Sequence, residues 1–358
     1  MCVNTGEVLF SKNEHKKLSM ASTTKILTSL IALEESTPDM EITVTSEMVS
    51  VEGTSMGLKA GDSVSLRELV YGMMLQSGND AANTVALVLG ETPEQFAEIM
   101  NLRARKIGMK NSNFVTASGL DDEEHYSTAY DMALLASESI KNPEFRFICS
   151  RKSARITYGN PPYARTLTNH NRLLWRYSDS IGIKTGFTKK SGRCLVSAAE
   201  RNGITLVAVT LNAGDDWNDH ITMFEKGFSE CGSKNLGIDS LSSIKIVGGT
   251  EKTVPITLVR DCILPEKTEC SCSVYIRPFE YAPIKKGQIV GTAVFYSQGR
   301  IVDEIPVITN GESSLMKYSI HSEKNDNKKI LFSEIKKEII KIIDNAIVRV
   351  FRGERIGR

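Results

Sequence analysis

The sequence contains no apolar run of about 18 residues, so no segment predicts a membrane-spanning helix. It also has no surplus of one charge. Its 44 lysines and arginines and 43 aspartates and glutamates give a net charge of +1, which provides no reason to expect a nucleic-acid partner. Histidine is scarce, with five residues and no His-x-x-x-H pair, so we expect no metal site and no cofactor. The seven cysteines are odd in number and scattered, which does not match a disulfide framework.

The N-terminus carries no recognisable secretory leader. The chain opens with Met-Cys-Val-Asn-Thr-Gly-Glu-Val-Leu-Phe, a pattern that predicts the end of one strand, a turn and a second strand. Because a domain rarely starts inside a hairpin, we expect that a leader and the first strand residues are missing from this chain.

The first two thirds of the chain predict an α/β domain over residues 1–237. Apolar periodicity predicts helices over 22–35, 65–89, 93–107 and 131–140, and buried strands over 194–199 and 204–211. Helices between strands from both chain ends favour an antiparallel sheet with helices packed on it.

The sequence after residue 237 differs in its predicted secondary structure. Segments 253–259, 273–276, 289–296 and 301–308 are rich in β-formers, and residues 297–300 predict a hairpin turn. We therefore expect a small β-sandwich-like domain over 238–320. A polar linker over 321–332 and an amphipathic helix over 333–358 with a surplus of basic residues are predicted to follow.

Three short motifs follow one another in a fixed order. They are Ser22-Thr-Thr-Lys25, Ser77-Gly78-Asn79 and Lys184-Thr185-Gly186. Each motif is weak evidence alone, since Ser-x-x-Lys also occurs at 242–245, 314–317 and 333–336. Only the first Ser-x-x-Lys is followed by the other two motifs at distances that suit one domain, and this ordered set is specific.

The first motif suits nucleophilic catalysis. Ser22 and Lys25 are one helical turn apart and share a face. A serine hydroxyl needs an adjacent base, and a lysine can be that base if burial and a neighbouring cation such as Lys184 depress its pKa. Taken alone, Ser22 would be an N-cap and Lys25 a solvated lysine; the other two motifs favour the catalytic interpretation.

The other two motifs suit substrate contacts. Gly78 permits a sharp loop that presents the Ser77 hydroxyl and the Asn79 amide to a cleft. On a strand, Gly186 leaves room for a substrate backbone to lie alongside. The alternative for Ser77-Gly78-Asn79 is a loop that interrupts a helix and has no catalytic part. The alternative for Lys184 is an ordinary lysine on an edge strand.

These motifs and several flanking segments resemble the low-molecular-mass penicillin-binding proteins, which are serine-type D-alanyl-D-alanine carboxypeptidases. The flanking matches include Thr5-Gly-Glu-Val-Leu-Phe, Gln76-Ser-Gly-Asn-Asp-Ala-Ala82, His125-Tyr-Ser-Thr-Ala-Tyr-Asp131 and Gly182-Ile-Lys-Thr-Gly-Phe-Thr. The resemblance covers nearly the whole chain. It implies an α/β (α+β) penicillin-binding or serine β-lactamase-like transpeptidase domain, then a small all-β domain and a C-terminal amphipathic helix.

The resemblance also implies catalytic roles. Ser22 would attack the carbonyl of the penultimate D-alanine, and Lys25 would take its proton. Ser77 would pass a proton to the leaving D-alanine amine, while Asn79 would hold both Lys25 and the substrate amide. Water would then hydrolyse the acyl-enzyme, and β-lactam antibiotics would acylate the same Ser22.

The resemblance further implies how the substrate is held. Lys184 would supply positive charge, Thr185 would contact the terminal carboxylate, and Gly186 would lie beside the peptide. The backbone amides of Ser22 and Phe187 would form the oxyanion hole. Some relatives use an arginine further along the chain for the carboxylate, but residues 212–220 contain none, so Arg193 is either a substitute or a surface arginine.

The expected partners are the D-Ala-D-Ala end of the peptidoglycan stem peptide, β-lactams and a membrane surface bound through residues 333–358. The expected location is therefore extracytoplasmic, on the outer face of the cytoplasmic membrane. Two alternatives remain open. A class A β-lactamase would need a Glu-x-x-Leu-Asn-like stretch between Asn79 and Lys184, which is not found. A non-catalytic peptidoglycan-binding protein would not need the intact motif residues.

Overall fold

The computed structural model describes residues 1–35, 37–237, 241, 243–316 and 334–341. The chain divides into two compact units, Met1–Gly232 and Ser233–Arg358. The boundaries 1–237 and 238–320 stay sequence-based predictions, and the predicted linker over 321–332 lies outside the described residues.

The first unit is built around a buried helix. Its helices are α1 (Lys25–Glu34), α2 (Ser46–Val49), α3 (Leu66–Gln76), α4 (Asn79–Gly90), α5 (Pro93–Ile107), α6 (Ala129–Ser139), α7 (Pro143–Cys149), α8 (Leu173–Arg176) and α9 (Asp216–Glu230). Every residue of α1 from Lys25 to Leu33 is buried, as expected of a helix packed on all sides. α1 contacts α3, α4, α5, α6 and α7, so its first turn is fixed from several directions.

The strands of the first unit form one three-stranded sheet and two smaller pairs. They are β1 (Glu41–Thr43), β2 (Ser63–Ser65), β3 (Ser153–Tyr158), β4 (Tyr163–Thr168), β5 (Ser180–Thr188), β6 (Gly192–Arg201) and β7 (Ile204–Leu211). The larger sheet is antiparallel, in the order β5-β6-β7. It confirms the predicted strands over 194–199 and 204–211.

The chain start pairs with β7. The Met1 amine donates to the Val207 carbonyl over 2.9 Å, and the Val3 amide donates to the Thr205 carbonyl over 2.8 Å. A tight turn follows, in which the Gly6 amide donates to the Cys2 carbonyl. The predicted turn is therefore present, but the second arm of the predicted hairpin is not a strand.

The helix predicted over 65–89 is wrong as a single element, because α3 and α4 are separate helices. α3 begins at a capping box in which the Ser65 hydroxyl accepts from the Glu68 amide and the Glu68 carboxylate accepts from the Ser65 amide. It ends where Ser77 adopts the left-handed conformation, with φ 61° and ψ 30°. A left-handed residue cannot continue a right-handed helix, so the chain turns before α4 begins at Asn79.

The second unit is a β domain, as predicted. Its strands are β8 (Ser233–Leu236), β9 (Ser243–Val247), β10 (Thr253–Leu258), β11 (Cys262–Pro265), β12 (Ser271–Ile276), β13 (Glu280–Tyr281), β14 (Ile289–Ser297) and β15 (Arg300–Thr309). Six of them form a sheet in the order β12-β14-β15-β10-β9-β13, and β8 pairs with β11. The hairpin between β14 and β15 has positive φ at Gln298 and Gly299, the turn predicted at 297–300.

Residues 334–341 are helical and largely exposed. The rest of the predicted amphipathic helix over 333–358 lies outside the described residues. Within the described parts of the chain, no helix combines the length and apolar character that crossing a bilayer requires.

Candidate active site

Ser22 and Lys25 lie together where a short turn enters α1. Ser22 belongs to a 3-10 turn over Ala21–Thr24, and Lys25 is the first residue of α1. Ala21 has φ 47°, a left-handed conformation that is uncommon for a non-glycine residue and often found at functional sites. Lys25 Nζ is 3.0 Å from Ser22 Oγ, so the one-turn spacing in the sequence becomes direct contact.

The Lys25 amine has three hydrogen-bond partners. Besides Ser22 Oγ, Nζ contacts Asn79 Oδ1 at 2.7 Å and the Ser118 carbonyl at 2.6 Å. The last two atoms can only accept hydrogen bonds. A neutral amine has two hydrogens and one lone pair. If Lys25 is neutral and its hydrogens occupy these two acceptors, its lone pair is left to face Ser22 Oγ.

Burial favours that neutral form. The Lys25 side chain is fully buried, and burial lowers its pKa well below the usual lysine value. The charge of Lys184 lowers the Lys25 pKa further, while the charge of Asp80 raises it. Lys184 is also buried, and burial lowers its own pKa to about 7.

A buried histidine connects the segment that precedes Ser118 to the Ser22 turn. The Val115 amide donates to His125 Nδ1 over 3.0 Å, so the ring proton is on Nε2, which contacts Thr24 Oγ1 at 2.8 Å. Burial lowers the His125 pKa to about 4, which keeps the ring neutral at ordinary pH. His125 therefore fastens the segment that carries Ser118 to the turn that carries Ser22.

The third motif lies on β5, directly against the Ser22 turn. A β-carbon added to Gly186 would lie 3.0 Å from the Met20 carbonyl and 3.1 Å from the Ser22 amide nitrogen. Only glycine therefore fits this approach without a shift of the backbone. Lys184 Nζ donates to the Thr185 carbonyl over 2.9 Å, and the Phe187 side chain is 67% exposed.

One cleft of about 740 Å³ brings residues of all three motifs together. Ser22, Ser77, Asn79, Thr185, Gly186 and Phe187 line it. Lys25 and Lys184 are buried beside these residues. A separate cavity of about 570 Å³, between Glu41, Glu68 and Tyr158, contains none of the motif residues.

The cleft also contains residues that the motifs do not predict. His170, Arg172 and Trp217 line it, and burial and the charge of Lys184 lower the His170 pKa. Arg193 lines it too, and its Nε and Nη2 donate to Asp216 Oδ1 over 3.1 and 2.5 Å. Arg193 therefore lines the cleft, is partly exposed and forms an ion pair with Asp216.

The described residues contain no cluster of three or more His, Cys, Asp or Glu side chains that could hold a metal ion.

The fold and the cleft define a class: an α/β serine peptidase domain of the penicillin-binding type, followed by an all-β domain. Residues 1–215 match the family described as D-alanyl-D-alanine carboxypeptidase, and residues 234–313 match the C-terminal domain of penicillin-binding protein 5. The chain belongs to the D-alanyl-D-alanine carboxypeptidase family, as its motifs predict.

Two relatives illustrate the match. The D-alanyl-D-alanine carboxypeptidase DacF of Bacillus subtilis (strain 168) is 30% identical over 85% of this chain and 82% of its own length. The crystal structure of DacD from Francisella tularensis is 27% identical, with a TM-score of 0.62 over 88% of this chain and 92% of its own. The comparisons do not favour a β-lactamase or a non-catalytic binding protein.

The contact between Gly186 and the Ser22 turn generates a first prediction. Gly186→Ala should slow β-lactam acylation at least about tenfold. The added β-carbon would push β5 away from the Ser22 turn, and the stabilisation of the transition state lost in this way should exceed that of one hydrogen bond in the cleft. Gly214→Ala is the matched control, since an added β-carbon there meets nothing within 4 Å. The measurement is the rate of benzylpenicillin labelling. Equal rates for the two variants would contradict the close approach.

The lowered pKa of Lys184 generates a second prediction. Between pH of about 7 and the usual lysine pKa of 10.5, the unfolded chain binds more protons at this residue than the folded chain. The free energy of unfolding should therefore rise with pH across this window, by at most about 1.4 kcal/mol per pH unit from Lys184. Lys184→Met should flatten that rise. Urea unfolding followed by tryptophan fluorescence reports on the first unit, which contains Trp175 and Trp217; identical pH slopes would count against a buried, readily deprotonated Lys184.

Proposed function

We propose that this chain removes the terminal D-alanine from peptidoglycan stem pentapeptides through an acyl-enzyme on Ser22. The observation that carries the proposal is the Lys25 amine, 3.0 Å from Ser22 Oγ, with its two other partners restricted to acceptors. Family membership supplies the reaction class, and this contact supplies a nucleophile with its base.

Acylation begins with proton transfer from Ser22 Oγ to the lone pair of Lys25. The oxygen forms a bond to the carbonyl carbon of the penultimate D-alanine. The backbone N–H groups of Ser22 and Phe187 stabilise the resulting oxyanion. When the intermediate collapses, the C–N bond breaks, and Ser77 passes a proton to the nitrogen of the departing D-alanine. The Lys25 ammonium replaces that proton on Ser77, so Lys25 becomes a neutral amine again. Water then attacks the ester and gives up a proton to Lys25, and when the C–O bond to Ser22 breaks, Lys25 returns this proton to Ser22 Oγ.

The position of β5 supports the way in which the substrate is held. Among the described residues, β5 has a strand partner, β6, on one side only, so its other edge is available to an extended peptide backbone. Thr185 on that strand contacts the terminal carboxylate, and the charge of Lys184 attracts it. Asn79 contacts the substrate amide from the opposite wall. A β-lactam presents a similar carbonyl and carboxylate, so it acylates the same serine.

The direct test of this proposal is Ser22→Ala. This variant should release D-alanine from a D-Ala-D-Ala peptide at background rate and should form no penicilloyl adduct in peptide mapping by mass spectrometry. Ser314→Ala is the control, because Ser314 heads another Ser-x-x-Lys sequence and should leave both readouts unchanged. A penicilloyl adduct on the Ser22→Ala chain would contradict the assignment.

We also propose that residues 333–358 bind a membrane surface, which would place the enzyme on the outer face of the cytoplasmic membrane. The sequence of this segment combines an apolar stripe with seven lysines and arginines against four aspartates and glutamates. Such helices lie in the interface rather than cross it.

Each basic residue near an anionic surface contributes roughly 1 kcal/mol, and salt screens this attraction. The full chain should therefore co-sediment with anionic vesicles more than with neutral ones, and less in high salt. A chain ending at residue 332 should lose this binding and keep its activity on a soluble peptide. Equal vesicle binding by the full and shortened chains would refute the anchor.

A further inference from the structure

Asp80 is a buried carboxylate beneath the loop that forms one wall of the cleft. It is 3% exposed, and no ion pair involves it within the described residues. Instead, hydrogen-bond donors surround it. Its Oδ1 accepts from the amides of Met56 (2.9 Å) and Ala81 (2.9 Å), and its Oδ2 accepts from the amides of Leu58 (3.0 Å) and Gly57 (3.1 Å) and from Ser55 Oγ (2.6 Å).

A buried charge is costly unless such donors replace water. Three consecutive backbone amides, from Met56 to Leu58, point at one carboxylate, so Asp80 determines the path of the chain there. The β3–β4 hairpin holds the carbonyls of the same segment: Tyr158 Oη donates to the Met56 carbonyl over 2.6 Å, and Arg165 Nη1 donates to the Gly57 carbonyl over 3.0 Å. The segment 56–58 is therefore held through its amides, and Met56 and Gly57 are also held through their carbonyls.

This loop in turn contacts the residue that faces Lys25. Asn79 Nδ2 donates to the Glu52 carbonyl over 2.7 Å, and the Asn79 amide donates to the Thr54 carbonyl over 2.7 Å. A β-carbon on Gly53 would lie 2.5 Å from Asn79 Nδ2. The loop backbone thus packs directly on the Asn79 side chain.

The Glu52 carbonyl decides which end of the Asn79 amide faces Lys25. A carbonyl can only accept, so it must face the NH2 end, and Oδ1 is left for Lys25 Nζ. If the amide turned over, a donor would face Lys25. One acceptor would then be lost, and the Lys25 lone pair would no longer be directed only at Ser22.

We propose that Asp80 is a positioning residue: by holding residues 52–58 against α4, it fixes the Asn79 amide with its oxygen toward Lys25. The consequence for acylation rests on the proposed function, whereas the orientation of the amide does not. Asp80 does not touch the substrate or Ser22; it acts through the Glu52 carbonyl and Asn79.

The test is Asp80→Asn in the full chain. The new side chain has one oxygen and one NH2 group where the carboxylate had two oxygens. Whichever way the amide turns, its NH2 group faces N–H or O–H donors of the loop and cannot accept from them, so the loop loses hydrogen bonds. The Asn79 side-chain protons, followed by NMR with isotope-labelled asparagine, should exchange with water at least about tenfold faster. Acylation of Ser22 by benzylpenicillin should slow by at least about tenfold.

A pH profile separates positioning from general destabilisation. The charged or titratable groups that act on Lys25 are Lys184, Asp80 and His125. Removal of the Asp80 charge and loss of the Asn79 acceptor both disfavour protonated Lys25. The acid limb of the acylation profile should therefore move to lower pH in Asp80→Asn.

Asp131→Asn is the matched control. Asp131 is 1% exposed, lies in the first turn of α6 as Asp80 lies in that of α4, and accepts from the Asn111 amide and Ser112 Oγ, both at 2.7 Å. This control should lower stability while leaving Asn79 exchange within about threefold of wild type and the acid limb unmoved. If Asp80→Asn does not fold, Ser55→Ala removes one donor from an exposed position and should speed exchange by about threefold.

The proposal is overturned if folded Asp80→Asn keeps wild-type Asn79 exchange, or if Asp131→Asn changes exchange and the pH limb equally. It is also overturned if Ser55→Ala, used in place of an unfolded Asp80→Asn, leaves exchange unchanged. If the wild-type chain itself forms no penicilloyl adduct, the proposed function fails, and Asn79 exchange in the variants still decides the role of Asp80.

Discussion

The site depends on keeping one lysine amine out of water and surrounded by the right acceptors. Lys25 is fully buried, and a buried ammonium is costly, so the site favours the neutral amine. Neutral lysine has a single lone pair, and the Asn79 and Ser118 oxygens leave only Ser22 for it. In the mechanism that we propose, burial makes Lys25 a base, and the two acceptors direct its lone pair at the Ser22 hydroxyl.

Most of the first unit serves to bring those groups together. The residues around Lys25 come from the 3-10 turn before α1, the start of α4 and the segment near Ser118, and these three parts are far apart in the sequence. Two glycines permit the close packing: Gly186 brings β5 against the Ser22 turn, and a β-carbon on Gly119 would lie within 2.8 Å of Thr24 Oγ1. Catalytic geometry here rests on backbone approach as much as on side chains.

The sequence predicts the parts of this site that residue identity encodes, and misses those that the backbone supplies. The motif order correctly predicts that Ser22, Asn79 and Thr185 share a cleft, and periodicity predicts α1, β6 and β7. Periodicity does not place the break at Ser77, since apolar residues recur on both sides of it, at 69–75 and from Ala81 onward. Gly78 suggests a loop there, but serine is not a strong left-handed residue, so the sequence does not assign that conformation to Ser77. The Ser118 and Glu52 carbonyls have no sequence signature, because every residue carries one.

The most direct measurement of the central claim is a titration of the Lys25 side chain by NMR in the wild-type protein, with lysine carrying a carbon-13 label. We predict that Lys25 loses its proton well below the usual lysine pKa of 10.5. Lys25→Arg identifies the signal by its absence. A Lys25 that keeps its proton up to the usual lysine pKa of 10.5 would contradict this prediction, because an ammonium has no lone pair to offer Ser22.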